Sequence, residues 1–285
     1  MKSSAPAIEK VFFLAALISA SISIIILIFM IILGLPLFKG GFFLHLLTQP
    51  WAPDHQLYGI SSMVIGTLAI AFLALLLAFP LSFGTSILIS IIKPPILSQL
   101  LEKIVQFMTG IPTVVFGFIG IFLLTPFMRE HLSRGSGRCI LSASLMLAVL
   151  IAPTMILFFT DSFDRIPTPW LTAADALGCS RMQKFLHVIL PNSLKGLATG
   201  TILAMGRAIG DTMIALMMAG NAVAVPHSVL DPARTLTAHI AMVIAADFDS
   251  LEFRVIFACG LILYFMILGI TLVIRSLNQA AGNQP

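Results

Sequence analysis

Long apolar segments alternate with short polar connections along this chain. Six segments carry few or no Asp, Glu, Lys or Arg residues, and each reaches the roughly 20 residues with which a helix crosses a bilayer. They are Val11–Phe38, His55–Ile92, Ile104–Met128, Cys139–Thr160, Gly196–Leu230 and Val255–Ile274. The pattern predicts an all-α, polytopic membrane protein with about six transmembrane helices.

Two of these segments have further features. The first exceeds the roughly 7–15 apolar residues of a secretory signal, so we expect it to be a retained span. His55–Ile92 is too long for one simple span and contains Pro80, which predicts a short interfacial piece and then a long or kinked helix. We expect a single transmembrane domain over residues 1–285, with its core at 58–276.

Composition narrows the possible functions. Hydrophobic residues make up 59% of the chain, charged residues only 10%, and the mean hydropathy is +1.06. No GxxxxGK[ST], HExxH or GxSxG motif occurs, so the sequence gives no support for ATP hydrolysis by this chain or for those hydrolytic chemistries. The three cysteines are scattered and predict free thiols without a metal site. The pI near 9.2 reflects charges in the connections, so we expect no nucleic-acid partner.

The connection at residues 168–191 predicts two short helices joined by a tight turn. Thr168 is expected to cap the first helix, with Pro169 at its first position, and Gly178 to end it in a left-handed conformation. Ser180 and Gln183 form a capping-box pattern for the second helix. Pro191 is expected to disfavour helical geometry at the residue before it.

This connection resembles the EAA loop of ATP-binding-cassette (ABC) importer permeases, whose pattern is E-A-A-x3-G-x9-I-x-L-P. Val188 stands at the isoleucine position, and Thr172 stands where that family usually has Glu. The resemblance implies that the loop grips a cytoplasmic ATPase and couples it to transport. The residues that it assigns to ATPase coupling are Thr172, Ala173, Ala174, Gly178, Leu190 and Pro191. The adjacent alanines are expected to offer a surface without bulk.

The distribution of Lys and Arg predicts the orientation. These residues are modestly more frequent in the connections on the side of the N-terminus. By the positive-inside rule, both termini and the 168–191 loop face the cytoplasm. One outer connection departs from this bias, because it contains Arg129, Arg134 and Arg138. These residues either attract an anion or acidic partner or form a solvated turn.

One charged pair lies within the fifth apolar segment. Arg207 and Asp211 are four residues apart, which predicts that they share one helix face. A charge deep in a span is costly and usually faces the bundle interior or a watery path. Arg207 offers a planar fork of N–H donors suited to phosphate-like oxyanions, which Asp211 can hold and release. The alternative is a structural ion pair that fixes helix packing.

Small residues and a proline mark two further positions. Gly196, Gly200, Gly206 and Gly210 form small-xxx-small patterns, which predict close packing of the fifth helix on a neighbour. Pro112 lies within the third apolar segment, where a proline frees a carbonyl and permits a kink. Such a kink serves either to place backbone groups on a substrate path or simply to improve packing.

Several motifs resemble phosphate-specific importer permeases, and they keep the order of that family. Arg207 to Thr212 and then Gly220-Asn221 match R-A-x-G-[ED]-T followed by G-N, with Asp211 replacing the usual Glu. The other matching stretches are Leu47–Trp51, Tyr58–Ile60, Pro80–Thr85, Gly110–Gly117 and Arg234–Thr237. They favour the PstC-type subunit over the PstA-type subunit, although the third outer loop is shorter than is usual for PstC. The substrate-path residues that the resemblance implies are Arg207, Asp211, Thr212, Asn221, Pro112 and Thr113.

The same resemblance implies the assembly. We expect a type I ABC importer permease fold crossing a bacterial inner membrane several times, in contact with membrane lipid. The implied partners are a P-loop ATPase dimer, a second permease subunit that is either identical or different, and a periplasmic or lipid-anchored phosphate-binding protein. No cofactor is expected on this chain, because ATP and Mg²⁺ would bind the partner ATPase.

Three other functions remain open at this point. Within the same class, the imported anion is molybdate, sulfate or phosphonate instead of phosphate. A self-sufficient secondary transporter would show inverted repeats and more intramembrane acids, and the sequence shows no clear repeat. A membrane-embedded enzyme is disfavoured, since the catalytic motifs above are missing.

Overall fold

The chain folds almost entirely into helices. The computed structural model describes residues 5–38, 42–132, 135–247 and 250–281. The helices within these ranges are α1 (Ala5–Gly34), α2 (Phe42–Thr48), α3 (Ser61–Ile87), α4 (Pro95–Thr109), α5 (Thr113–Ile119), α6 (Thr125–Leu132), α7 (Ile140–Asp164), α8 (Thr168–Ala176), α9 (Arg181–Lys184), α10 (Leu190–Gly210), α11 (Met213–Met218), α12 (Leu236–Val243) and α13 (Leu251–Ala281). Strands β1 (Trp51–Ala52) and β2 (Leu57–Tyr58) form one antiparallel hairpin.

Short segments of tighter or wider helix connect some of these elements. The 3₁₀ segments are Leu35–Phe38 and Pro53–His55, and the π-helical segments are Leu88–Ile92, Gly120–Leu124 and Phe185–Ile189. Across the described residues, six helical runs are long and apolar enough to cross a membrane. They are Glu9–Phe38, Ser61–Ile92, Thr113–Leu132, Ile140–Asp164, Arg181–Gly210 and Leu251–Val273. The predicted all-α membrane fold is thereby confirmed.

The centre of the bundle is the packing of α3 against α7. Serine hydroxyls join the two helices, because Ser82 Oγ donates to Ala152 O at 3.3 Å and Ser144 Oγ donates to Ile70 O at 3.1 Å. Such hydroxyls place no unsatisfied polar group in lipid and allow the backbones to approach closely. Helix α7 is therefore the scaffold on which the other spans are positioned.

Helix α10 packs antiparallel on α7 through two of its four glycines. A Cβ at Gly196 would lie 1.8 Å from Ser162 Oγ, and a Cβ at Gly200 would lie 2.8 Å from the Cβ of Phe158. Gly206 and Gly210 have nothing within 4 Å of a Cβ position. The predicted close packing thus holds for the first glycine pair and not for the second.

Helix α1 lies at the periphery and packs mainly on α13. Gly34 lies against Phe257 and Leu261, and Gly260 accommodates Met30. Most of the described α1 side chains are exposed and apolar. They are suited to contact with lipid or with another subunit.

Two predicted spans are broken in the structure. The third, predicted as Ile104–Met128, is divided at Gly110–Pro112, so that α4 ends at Thr109 and a new helix begins at Thr113. The fifth, predicted as Gly196–Leu230, ends its main helix at Gly210 and continues as the short α11. The hypothesis of a simple kink at Pro112 is therefore wrong. Pro112 is extended, with φ −59° and ψ 141°, and it stands at the N-terminus of α5.

Both breaks lie near the middle of α7. Val105 of α4 packs in a small cluster with Ile156, and Gly120, beyond α5, contacts Met146 nearer the N-terminus of α7. On the other broken helix, Arg207 binds Thr154, close to the middle of α7. The α5 and α11 segments that follow the two breaks pack against each other.

The glycine packing generates a first prediction. We expect Gly196→Ala to lower the free energy of unfolding by about 1–3 kcal/mol, because the added methyl group overpacks the contact with Ser162. The control is Gly206→Ala, where the same change meets open space. The measurement is the thermal unfolding of each variant in detergent. Equal stability of the two variants would show that the α7–α10 contact tolerates a side chain.

Candidate functional site

The 168–191 loop forms the predicted pair of short helices, α8 and α9. Gly178 adopts φ +75° after the end of α8, and its N–H donates to Asp175 O at 2.9 Å. The following N–H, of Cys179, donates to Ala174 O at 3.1 Å. These bonds close the last turn of α8, and glycine reaches this left-handed conformation without steric strain. The predicted helix end at Gly178 is confirmed.

The second helix begins with the predicted capping box. Gln183 N donates to Ser180 Oγ at 3.3 Å, and Ser180 N donates to Gln183 Oε1 at 2.8 Å. An ion pair that the sequence reading missed links the two helices, because Lys184 Nζ lies 2.5 Å from Asp175 Oδ1. Together these contacts fix the angle of the turn that carries Gly178.

Two details of the loop, the cap of α8 and the burial of one alanine, differ from the predictions. Thr168 does not cap α8, because Pro167 occupies the N-cap position and Thr168 is the first helical residue. Thr172 is exposed, and its hydroxyl donates to Thr168 O at 3.0 Å. Of the two alanines, Ala173 is exposed whereas Ala174 is buried. Only Ala173 therefore presents an unobstructed surface.

The helix also continues through Pro191, so the expected loss of helical geometry at Leu190 is wrong. Leu190 has φ −59° and ψ −48°, and its N–H bonds to Phe185 O across a π-helical turn. The wider turn re-pairs the backbone before the proline, which has no N–H of its own. Asn192 Nδ2 donates to Val188 O at 2.6 Å and satisfies one more carbonyl there.

The surface of the loop is apolar at its turn. Leu177 is 84% exposed, Met182 is 57% exposed, and Trp170 is 51% exposed. Exposed large apolar side chains that are grouped in this way mark a surface for a protein partner. The loop therefore combines a rigid backbone with an apolar tip.

The second site surrounds the break after α10, near the middle of α7. Arg207 is partly buried, and its Nη1 donates to Thr154 Oγ1 at 3.0 Å. Thr154 is a neutral partner that the sequence reading missed. A hydroxyl within an apolar helix is a weak signal, since most such hydroxyls bond to their own backbone.

Asp211 lies outside the helix and does not share a face with Arg207. It has extended geometry, with φ −70° and ψ 128°, and it is 9% exposed. Its Oδ2 accepts a hydrogen bond from Ile214 N at 2.8 Å, and its carbonyl accepts one from Thr237 Oγ1 at 2.8 Å. The carboxylate thus caps α11. The predicted one-face arrangement is wrong, and the structure contains no direct ion pair between Arg207 and Asp211, both of which are described.

Thr212 and Asn221 flank α11 on either side. Thr212 is partly buried at the N-terminus, and its carbonyl accepts a hydrogen bond from Leu216 N at 2.8 Å. Asn221 follows the C-terminus with φ +55°, and its Nδ2 donates to Leu216 O at 2.7 Å. Its backbone N–H also donates to Ala233 O at 3.1 Å, which closes the loop before α12.

Pro112 and Thr113 belong to the neighbouring broken helix. Pro112 is exposed and Thr113 is partly buried at the start of α5. The structure packs α5, which begins at Thr113, against α11, the short helix that follows the break after Arg207. It shows no hydrogen bond between Pro112 or Thr113 and Arg207, all three being described residues.

Comparison with known proteins gives consistent matches. Residues 82–281 match the family described as "Binding-protein-dependent transport system inner membrane component". The probable ABC transporter permease protein YqgH of Bacillus subtilis (strain 168) is 32% identical over 270 residues, covering 93% of this chain and 87% of that protein. The phosphate transport system permease protein PstC of Pasteurella multocida (strain Pm70) is 29% identical over 251 residues, covering 80% and 76% respectively.

Solved structures of transporters share the fold. An inward-facing MetNI methionine ABC transporter chain aligns with a TM-score of 0.64 at 18% identity, covering 81% of this chain and 99% of that chain. A chain of a bacterial ABC transporter that imports the acidic polysaccharide alginate aligns with a TM-score of 0.61 at 15% identity, covering 96% and 98%. These similarities concern the arrangement of helices alone.

The capping role of Asp211 generates a second prediction. We expect Asp211→Ala to lower the free energy of unfolding by about 1 kcal/mol, because α11 loses its cap. Asp211→Asn should stay close to the unmodified protein, since an amide oxygen also accepts the bond from Ile214 N. Thermal unfolding in detergent is the measurement, with Asp54→Ala as an exposed control. Equal losses for the Asn and Ala variants would show that the charge, and not the cap, stabilises this site.

Proposed function

Because this chain belongs to the family of binding-protein-dependent transport system inner membrane components, we propose that it is the permease subunit through which an ABC importer admits inorganic phosphate. It is a multi-pass protein of the inner membrane. Relatives named as PstC phosphate transport permeases support the phosphate assignment and the PstC type. Family membership also removes the ground for a self-sufficient secondary transporter.

The observation that carries the proposal is that Arg207 forms no direct ion pair with a described carboxylate. Its guanidinium is partly buried beside a helix break and bonds to a neutral hydroxyl, with no carboxylate in direct contact among the described residues. A guanidinium has five N–H donors, of which this contact uses one. The other donors are free to bind the oxygens of an oxyanion in a planar fork.

The rest of the proposed assembly follows from the loop and from the missing ATPase motif. A dimer of P-loop ATPase subunits docks on the apolar tip at Leu177 and Met182, and it binds ATP and Mg²⁺. This chain catalyses no reaction of its own and holds no cofactor. A second permease subunit completes the path, and a periplasmic or lipid-anchored binding protein delivers phosphate to the outer side.

Transport by the assembled complex tests the proposal. We expect Arg207→Gln to reduce phosphate uptake by about 10–100-fold, because hydrogen bonds from a charged donor contribute about 1.5–3 kcal/mol and each 1.4 kcal/mol is tenfold. Lys195→Gln, an exposed cation on the same helix, is the matched control. The measurement is uptake of labelled phosphate into cells or proteoliposomes with the partner subunits present.

Competing anions complete this test. Sulfate, molybdate and phosphonate are supplied in parallel with phosphate. Accumulation of one of these, with no uptake of phosphate, would contradict the phosphate assignment and leave the permease role intact. Normal phosphate uptake by the Arg207→Gln complex would contradict the role of Arg207.

The rigid turn at Gly178 generates a fourth prediction. We expect Gly178→Gln to uncouple ATP hydrolysis from uptake, because a side chain projects from the turn toward the ATPase and strains a residue at φ +75°. The matched control is Gly135→Gln on the outer side, where glycine has φ +66° and similarly open space. Substrate-stimulated ATP hydrolysis and co-purification with the ATPase are the readouts. Equal behaviour of the two variants would argue against docking at this turn.

A further inference from the structure

Arg234 lies in the connection between α11 and α12, on the side that the Lys and Arg distribution predicts to be the outer one, and its backbone is firmly held. The segment before it is fixed to the end of α11, where Ala233 N donates to Ala219 O at 2.8 Å. The segment after it is fixed to α3, where Leu236 N donates to Thr67 Oγ1 at 2.9 Å. A Cβ at Gly66 would lie 2.5 Å from Arg234 O, so α3 approaches this backbone closely. The side chain of Arg234 therefore projects from a defined position.

The charge of Arg234 has no acidic partner among the described residues. Its Nε donates to Asn221 O at 3.0 Å, and its Nη1 lies 3.5 Å from His239 Nδ1. The nearest carboxylate along the chain, that of Asp231, is engaged by the backbone N–H groups of His227 and Ser228. The guanidinium is thus partly buried with neutral partners only.

His239 is also a neutral partner of Arg234. Burial, and to a smaller extent the charge of Arg234, lowers the pKa of His239 to about 3, so the imidazole is neutral. Because an arginine only donates, His239 Nδ1 is the acceptor in this contact. Burial also lowers the pKa of Arg234. A neutral donor would suffice to bind the carbonyl of Asn221, so this hydrogen bond does not explain the positive charge. An anionic ligand would.

Arg234 and Arg207 lie beyond opposite ends of α11. Asn221, which binds Arg234, follows the C-terminus of this helix, and Asp211 precedes its N-terminus. Three residues after Arg234, Thr237 donates to Asp211 O at 2.8 Å, so this connection runs alongside α11. The helix has 6 residues and is about 9 Å long. The two arginines, neither of which has a direct ion pair with a described residue, therefore lie one after the other along α11, Arg234 near its C-terminus and Arg207 before its N-terminus.

The geometry points to Arg234 as an outer oxyanion site, which binds the tetrahedral anion before it reaches Arg207. The inference rests on the proposed function in one respect, that the anion is phosphate. Its chemical basis is a guanidinium with free donors in a partly desolvated position, where charge-assisted hydrogen bonds to an oxyanion are strongest. Delivery in two steps would keep the anion paired with a cation over part of its path.

Transport kinetics give the first test. We expect Arg234→Gln to raise the KM for phosphate uptake by at least tenfold, whereas Arg234→Lys, which keeps the charge but loses the planar fork, should raise it by less. The matched control is Arg254→Gln, which removes an exposed cation in the first turn of α13. Glutamine retains an N–H donor for Asn221 O, so this comparison separates the charge from the hydrogen bond. An unchanged KM in Arg234→Gln, or equal defects in the Gln and Lys variants, would overturn the site.

Binding without transport gives the second test. Trp51 packs edge to face on His239 with ring centroids 4.3 Å apart, so its fluorescence reports on the surroundings of Arg234. The contribution of Trp51 is obtained by subtracting the fluorescence of the assembled Trp51→Phe complex from that of the assembled complex that retains Trp51. We expect added inorganic phosphate to change this signal in a saturable way, and the change to persist in Arg207→Gln but not in Arg234→Gln.

Repeating the fluorescence titration with other anions distinguishes a failure of the outer site from a failure of the phosphate assignment. A saturable change with sulfate or molybdate but not with phosphate would support the outer site and contradict phosphate as the substrate. Absence of any saturable change with all three anions would overturn the outer site, whatever the uptake assay shows for Arg207.

Discussion

A backbone group that leaves a helix inside a bilayer needs a new hydrogen-bond partner, and this need organises the centre of the molecule. Water is scarce there, so an unpaired N–H or C=O costs several kcal/mol. The break after α10 meets this need with a carboxylate and a hydroxyl, because Asp211 accepts from Ile214 N and Thr237 donates to Asp211 O. The polar groups that stabilise the break also bring the outer connection, with Arg234, toward the region of Arg207.

The distribution of charge follows from the same constraint. Asp211 is occupied in capping α11, and Asp231 holds two backbone N–H groups of the outer connection. Neither is therefore paired directly with an arginine. Arg207 and Arg234 keep positive charges that, among the described residues, only neutral groups contact by hydrogen bonds, an arrangement that costs stability. The structural acids are therefore separated from the two cations that we propose to bind the anion.

The 168–191 loop is constructed differently, because it does not depend on a buried environment. Its turn is determined by local features: a glycine at φ +75°, a capping box between Ser180 and Gln183, and an ion pair between Asp175 and Lys184. These contacts hold the apolar tip at Leu177 and Met182 in place without help from a partner. A rigid projection of this kind can transmit a displacement from a bound protein to α7 and α10.

The sequence by itself determined the number of spans, the end of α8 at Gly178 and the capping box, because apolar length and cap chemistry act over a few residues. It also singled out Arg207 as a candidate substrate-path residue, whereas Arg234 entered only as the first residue of a stretch that matches the family. Only the tertiary structure decided that Asp211 leaves the helix, because the spacing of Arg207 and Asp211 is equally compatible with an α10 that continues past Gly210. The continuation of helix through Pro191 likewise depends on a π-helical turn that no local rule predicts. Thr154, the partner of Arg207, lies on another helix and 53 residues away along the chain. Contacts between such distant residues are set by packing, which the order of residues does not reveal.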